Sequence, residues 1–162
     1  LNHLDVEHDE SDLERLGIII DADFDLAARW QSVKTNLTNI GYNLPDAPNP
    51  EGTVIIREDG RMAGVWLMPN NQLPGMLEDF VRFLGTTGDS LWSIAENCLN
   101  EISEEHQRFI PNHRIKAHIH TWLAWQEGPG TPLGLAITKR YLDAGAPHGQ
   151  QLMGWIRRLF DF

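Results

Sequence analysis

Two rhythms of apolar and polar residues run along this chain. Gly17-Ile18-Ile19-Ile20 is an apolar run too short for a helix, and its β-branched isoleucines predict a strand buried on both faces. From Asp25 to Ile40 the apolar residues Leu26, Trp30, Val33, Leu37 and Ile40 recur at spacings of 4, 3, 4 and 3, the mark of an amphipathic helix. Gly41 is placed to end that helix as a C′ glycine. Tyr42 to Gly52, with Pro45, Pro48 and Pro50, reads as loop. Thr53-Val54-Ile55-Ile56 predicts a second strand, Asp59-Gly60 a hairpin-type turn, and Met62 to Met68 a third strand that stops at Pro69-Asn70-Asn71. Pro74 then predicts a helix start, with Leu77, Phe80, Val81 and Leu84 on its apolar face.

After a linker from Thr86 to Asp89 the pattern is helical. Leu91, Ile94, Ala95, Cys98, Leu99 and Ile102 make one stripe, in which Cys98 is expected as a small buried hydrophobe. Pro111-Asn112 precedes a second helix through Ile115, Ile119, Trp122, Leu123 and Trp125, broken by Gly128-Pro129-Gly130. Short helices are expected from Pro132 to Tyr141 and from Pro147 to Phe160, the last burying Leu152, Ile156, Leu159 and Phe160. Strand, helix, strand, strand and then helices predict an α/β fold. Its sheet is expected to be mainly parallel, with Ile18 to Ile20 in an interior strand and one antiparallel strand at an edge. Helices flank the sheet and make up the C-terminal half. Trp66, Trp122, Trp125 and Trp155 fall within apolar stripes and are expected in the core.

Composition narrows the function classes. The chain has 162 residues, enough for one domain with a sizeable core, expected over residues 15–162 behind an acidic lead-in of residues 1–14. Ser11 to Glu14 is a candidate for a short helical turn within that lead-in. Lys and Arg number 13 against 23 Asp and Glu, a net charge of −10, which argues against an autonomous non-specific nucleic-acid binder. An acidic site holding metal against a phosphodiester remains compatible with that charge. One cysteine excludes an intramolecular disulfide and fits a reducing cytoplasm. No apolar run reaches membrane-spanning length. The chain starts at Leu1 rather than Met, and is expected to be a piece of a longer protein.

The candidate chemistry gathers where the first strand ends. Asp21, Asp23 and Asp25 follow Ile20 at alternate positions, and in an extended tip Asp21 and Asp23 would share a side. The carboxyl end of a strand in an open α/β sheet is where ligands sit, and clustered carboxylates there suit a hard cation such as Mg²⁺ or Mn²⁺. Asp25 has a second reading as a helix N-cap. Glu78 and Asp79 lie ten or so residues beyond the third strand and would face the first cluster if the two strands are neighbours. They equally suit the positive end of a helix. His113, Arg114, Lys116, His118 and His120 make a basic stretch in which Lys116 or Arg114 is placed to contact phosphate, and which otherwise reads as a solvated face.

These motifs carry a resemblance. Gly17-Ile18-Ile19-Ile20-Asp21-Ala22-Asp23 resembles the Asp-x-Asp strand of Toprim domains, which occur in topoisomerases, primases and overcoming-lysogenization-defect nucleases. With Gly64-Val65-Trp66-Leu67-Met68-Pro69-Asn70-Asn71, Gly75-Met76-Leu77-Glu78-Asp79-Phe80 and His120-Thr121-Trp122-Leu123-Ala124-Trp125-Gln126, the chain is similar to a bacterial Toprim-related family of unknown function over roughly residues 13–160. The resemblance implies a Toprim-like, Rossmannoid sheet and a Mg²⁺- or Mn²⁺-dependent, nuclease-like activity on nucleic acid, with an ATPase as partner. Asp21 and Asp23 would be metal ligands, Glu78 would help to hold a second metal, and Lys116 would steady phosphate. Toprim domains also carry an earlier glutamate in a Val-Glu-Gly-type motif. That motif is absent here, and Val6-Glu7 lies too close to Gly17 for a strand, crossover helix and return. Two main expectations therefore stand side by side: a nuclease-like hydrolase, and a catalytically silent Toprim-like interaction module. An Asp-x-Asp phosphotransfer or nucleotide-sugar enzyme is a third.

Overall fold

The computed structural model describes residues 13–85 and 88–162, so the lead-in up to Asp12 and the linker residues Thr86 and Thr87 lie outside the described residues. The described part is α/β, with strands β1 (Arg15–Asp21), β2 (Thr53–Ile56) and β3 (Met62–Met68). Its α-helices are α1 (Leu26–Asn39), α2 (Leu77–Phe83), α3 (Ser90–Asn100), α4 (Arg114–Ala124) and α5 (Pro147–Phe160). The chain divides into two compact units, one of residues up to Phe80 together with Gln150–Phe162, the other of Val81–Gly149.

The first unit is built on a sheet of order β1-β3-β2. β1 runs parallel to β3, with Gly17 opposite Gly64 and Asp21 opposite Met68. β2 runs antiparallel to β3, closing the hairpin expected at Asp59-Gly60, where Gly60 has φ 88°. The expected mainly parallel, Rossmannoid sheet is thus corrected to a small mixed one. The expected interior strand is corrected as well: among the described residues β3 is central and β1 lies at the edge. Burial agrees, since Ala63 to Leu67 are sealed while Ile19 is 49% exposed. Both strands are continuous apolar runs, and such a run does not say which of them has neighbours on two sides.

Alternation along the strands assigns their faces. Ile18, Ala63, Val65 and Leu67 pack on Trp30, Val33 and Leu37 of α1, with Tyr42 and Leu44 from the following loop. The Trp30 indole N–H donates to the Pro45 carbonyl at 3.2 Å, satisfying the polar atom of a buried ring. The opposite face is floored by glycine. A Cβ on Gly64 would stand 2.5 Å from Leu159 Cδ2, and one on Gly17 3.2 Å from the same atom. The C-terminal part of α5 therefore reaches the sheet through Leu159 and Trp155 only because its floor lacks side chains. Trp155 also donates from Nε1 to the Thr53 carbonyl at 3.0 Å and packs against Trp66 in a tilted contact, ring centroids 5.9 Å apart. Phe160, expected to be buried, is 41% exposed.

The second unit is helical. Trp122 of α4 packs edge-on to Trp92 of α3 at 5.0 Å and donates from Nε1 to Asp89 Oδ2 at 2.7 Å. Asp89 also caps α3 by accepting from the Leu91 amide at 2.9 Å. The buried His118 donates from Nε2 to the Trp92 carbonyl at 2.8 Å. Three expectations fail here. The helix expected from Pro132 to Tyr141 is a 3₁₀ turn, Leu133–Leu135, followed by turns. Cys98 is exposed, and so is Ile94 of the same stripe, because only Ala95 and Leu99 of α3 are buried. Trp125, just past the end of α4, is 40% exposed. No described helix is long and apolar enough to cross a membrane.

Candidate functional site

The acidic residues meet at the carboxyl end of β1. Parallel pairing continues one step past the strand, the Ala22 amide donating to the Met68 carbonyl at 3.1 Å. The chain then departs from extended geometry. Asp23 has φ 55°, a left-handed conformation that aspartate tolerates better than most residues. Its amide donates to the Gly75 carbonyl at 2.8 Å, an isolated antiparallel bridge. Across this bridge, Asp21 Oδ1 accepts from the Leu77 amide at 2.9 Å. Asp21 and Asp23 are thus held against the backbone of the Gly75–Leu77 segment, which leads into Glu78 and Asp79.

Neighbouring turns hold that segment in place. Asn71 Oδ1 accepts from the Leu67 amide at 2.7 Å, and Asn70 Oδ1 accepts from the Leu73 amide at 3.0 Å. Both asparagines are buried, and Asn71 has φ 61°. Gly75 has φ 144°, and a Cβ there would stand 2.7 Å from Asp79 Oδ2. These polar residues bend the chain directly behind β3 and return it to the tip of β1.

The individual carboxylates are committed to different partners. Asp23 Oδ2 is ion-paired with the Arg29 guanidinium, both side chains being partly exposed. Asp25 is the N-cap of α1, its Oδ1 accepting from the Ala28 amide at 2.9 Å. Asp79 Oδ2 accepts from the Met76 amide at 2.8 Å, bracing the start of α2. Glu78 is buried in the first turn of that helix. The period-two argument that aligned Asp21 with Asp23 ends at Asp21, because the positive φ at Asp23 breaks the alternation. Lys116 stands on α4 in the second unit.

A hard divalent ion needs several oxygens converging on one point. Among the described residues no three His, Cys, Asp or Glu side chains are arranged to hold a metal ion. The carboxylate oxygens turn instead to backbone amides and to a guanidinium, so the tip as it stands does not fit a Mg²⁺ or Mn²⁺ site.

Arg29 is the residue that sequence reasoning missed. The available signal pointed elsewhere: Asp25 and Arg29 are four apart on a helix, the spacing of an intrahelical pair. With Asp25 occupied as the cap, Arg29 reaches back to Asp23.

The model of the family described as "Protein of unknown function (DUF3226)" matches residues 1–161. The chain belongs to this family. No curated protein and no solved structure matches the DUF3226 chain.

Proposed function

We propose that this DUF3226 chain is a catalytically silent, Toprim-like interaction module of a larger cytoplasmic protein or complex. The observation that carries the reading is the commitment of the acidic carboxylates to protein donors. Asp21 caps the turn at Leu77, Asp23 pairs with Arg29, Asp25 caps α1, and Asp79 braces its own helix. Groups used this way rigidify the end of the sheet and leave an acidic surface suited to a basic partner.

A second reading is favoured by a separate observation, the meeting of Asp21 and Asp23 with the Gly75–Leu77 segment at the carboxyl end of β1. In that reading the chain is a Mg²⁺- or Mn²⁺-dependent, nuclease-like domain acting on nucleic acid with an ATPase partner. Asp21, Asp23 and Glu78 would be its ligands. Incubation with DNA and RNA in Mn²⁺ at low salt, with the ATPase partner present, separates the two, low salt being chosen because a net charge of −10 weakens capture of a polyanion. The silent module leaves both substrates intact. Cleavage that requires Mn²⁺ and disappears in Asp23→Ala would establish the nuclease-like reading instead.

A further inference from the structure

The pairing of Asp23 with Arg29 has a consequence for how the acidic tip is neutralised. Asp21, Asp23 and Asp25 fall within five residues, and the Gly75–Leu77 segment brings Glu78 and Asp79 to the same end of the sheet. Negative charges gathered at one end of a sheet repel one another, and a cation among them relieves the repulsion. A divalent ion is one solution. A guanidinium is another, with its planar fork of donors matched to carboxylate oxygens and a charge that does not titrate.

We propose that Arg29 is the resident counter-cation of Asp23, occupying the position at this aspartate that a divalent ion would need. The inference rests on the silent-module reading and deepens it, since it names the side chain that keeps the tip closed to metal. The geometry supports it from both partners. Arg29 lies one turn into α1, and the Asp25 cap that starts the helix fixes where that turn begins. Asp23 is held from the other direction by its bridge to Gly75, and its φ of 55° directs it away from the extended path of β1. The backbones of both partners are thus fixed by contacts independent of the pair. Only side-chain freedom is left to lose when the pair forms, whereas a hydrated ion must first shed water.

The test is Mn²⁺ binding, read by electron paramagnetic resonance of the free ion, on wild type, Arg29→Met, Arg29→Lys and the double variant Arg29→Met/Asp23→Asn. Arg29→Met keeps the aliphatic stem and removes the charge. It is expected to bind Mn²⁺ at least about tenfold more tightly than wild type, a gain of about 1.4 kcal/mol. Asp23→Asn in the same background is expected to abolish the gain, and Arg29→Lys is expected to behave as wild type. Arg29→Met binding no better than wild type overturns the proposal, as does a gain that survives Asp23→Asn. A companion measurement needs no variant: the nitrogen-15 guanidinium signals of Arg29 in wild type should not shift as Mg²⁺ is added. A saturating shift would show the ion displacing Arg29 and would also overturn the proposal. The two readings fail differently. Mn²⁺-dependent cleavage by wild type sinks the silent module, whereas a wild type that cleaves nothing and an Arg29→Met that binds Mn²⁺ no more tightly sink only the role given to Arg29.

Discussion

Asp25 is the residue on which a ligand role and a structural role diverge most cleanly. Its Oδ1 accepts from the Ala28 amide at 2.9 Å, its backbone is extended, and no other acidic residue occupies the first turn of α1 to take over. Replacing it with alanine removes the cap, which costs about 1 kcal/mol within a range of about 0.5–2. It also removes a negative charge from the positive end of the helix, worth about 0.3–1 kcal/mol at a surface site. Asp25→Ala should therefore destabilise the start of α1 by about 1–2 kcal/mol. Asp25→Asn keeps an oxygen at the same position and loses only the charge, so it should cost less than half as much. Native-state hydrogen exchange reads this locally. The amides at the start of α1, Ala28 first, should exchange about tenfold faster in Asp25→Ala for each 1.4 kcal/mol lost. Equal acceleration in both variants would mean that the oxygen is not the cap. A difference between wild type and Asp25→Asn that appears only with Mg²⁺ present would mean that Asp25 is a metal ligand.

Two further predictions follow from the packing and the hairpin. Gly64→Ala places a Cβ 2.5 Å from Leu159 Cδ2 and 3.0 Å from Trp155 Cζ2, so these buried side chains must give way, and urea unfolding should show a loss of about 1–3 kcal/mol. An unchanged midpoint would show that α5 is not seated on the glycine floor. At the hairpin, Arg57 Nε donates to Asp59 Oδ1 at 2.9 Å, and this contact holds the Asp59 carboxyl well below its ordinary value of 3.8. A depressed carboxylate stabilises the fold at pH above its unfolded value, and the stabilisation is lost as pH falls through the lower folded value. Acid unfolding of Asp59→Asn should accordingly be less steep than that of wild type below about pH 4; identical profiles would refute the role of this pair.

The local elements were legible in the residue pattern. β2 and β3 run as expected, from Thr53 to Ile56 and from Met62 to Met68, and α1 ends where Gly41, with φ 90°, follows it. Short β-branched runs, a helical spacing of apolar residues and a glycine stop are properties of a few consecutive residues, and local sterics settle them. The approach of the turn behind β3 to the tip of β1 was also legible, because it follows from the pairing of those two strands.

Contacts between residues far apart in the chain settled the rest. Ile18 to Ile20 and Val65 to Leu67 look alike as apolar runs, and which strand is central depends on partners far away in the chain. Cys98 belongs to an apolar stripe, but how much of that stripe is covered depends on what packs against α3. At the tip of β1, the sequence listed carboxylates without their donors. Three of those donors are backbone amides, of Leu77, Ala28 and Met76, which no residue pattern advertises. The fourth is Arg29, which reaches Asp23 only because the chain leaves the extended path there. A carboxylate's chemistry is set by what meets its oxygens, and those contacts exist only once the strand, the turn and the helix have been brought together.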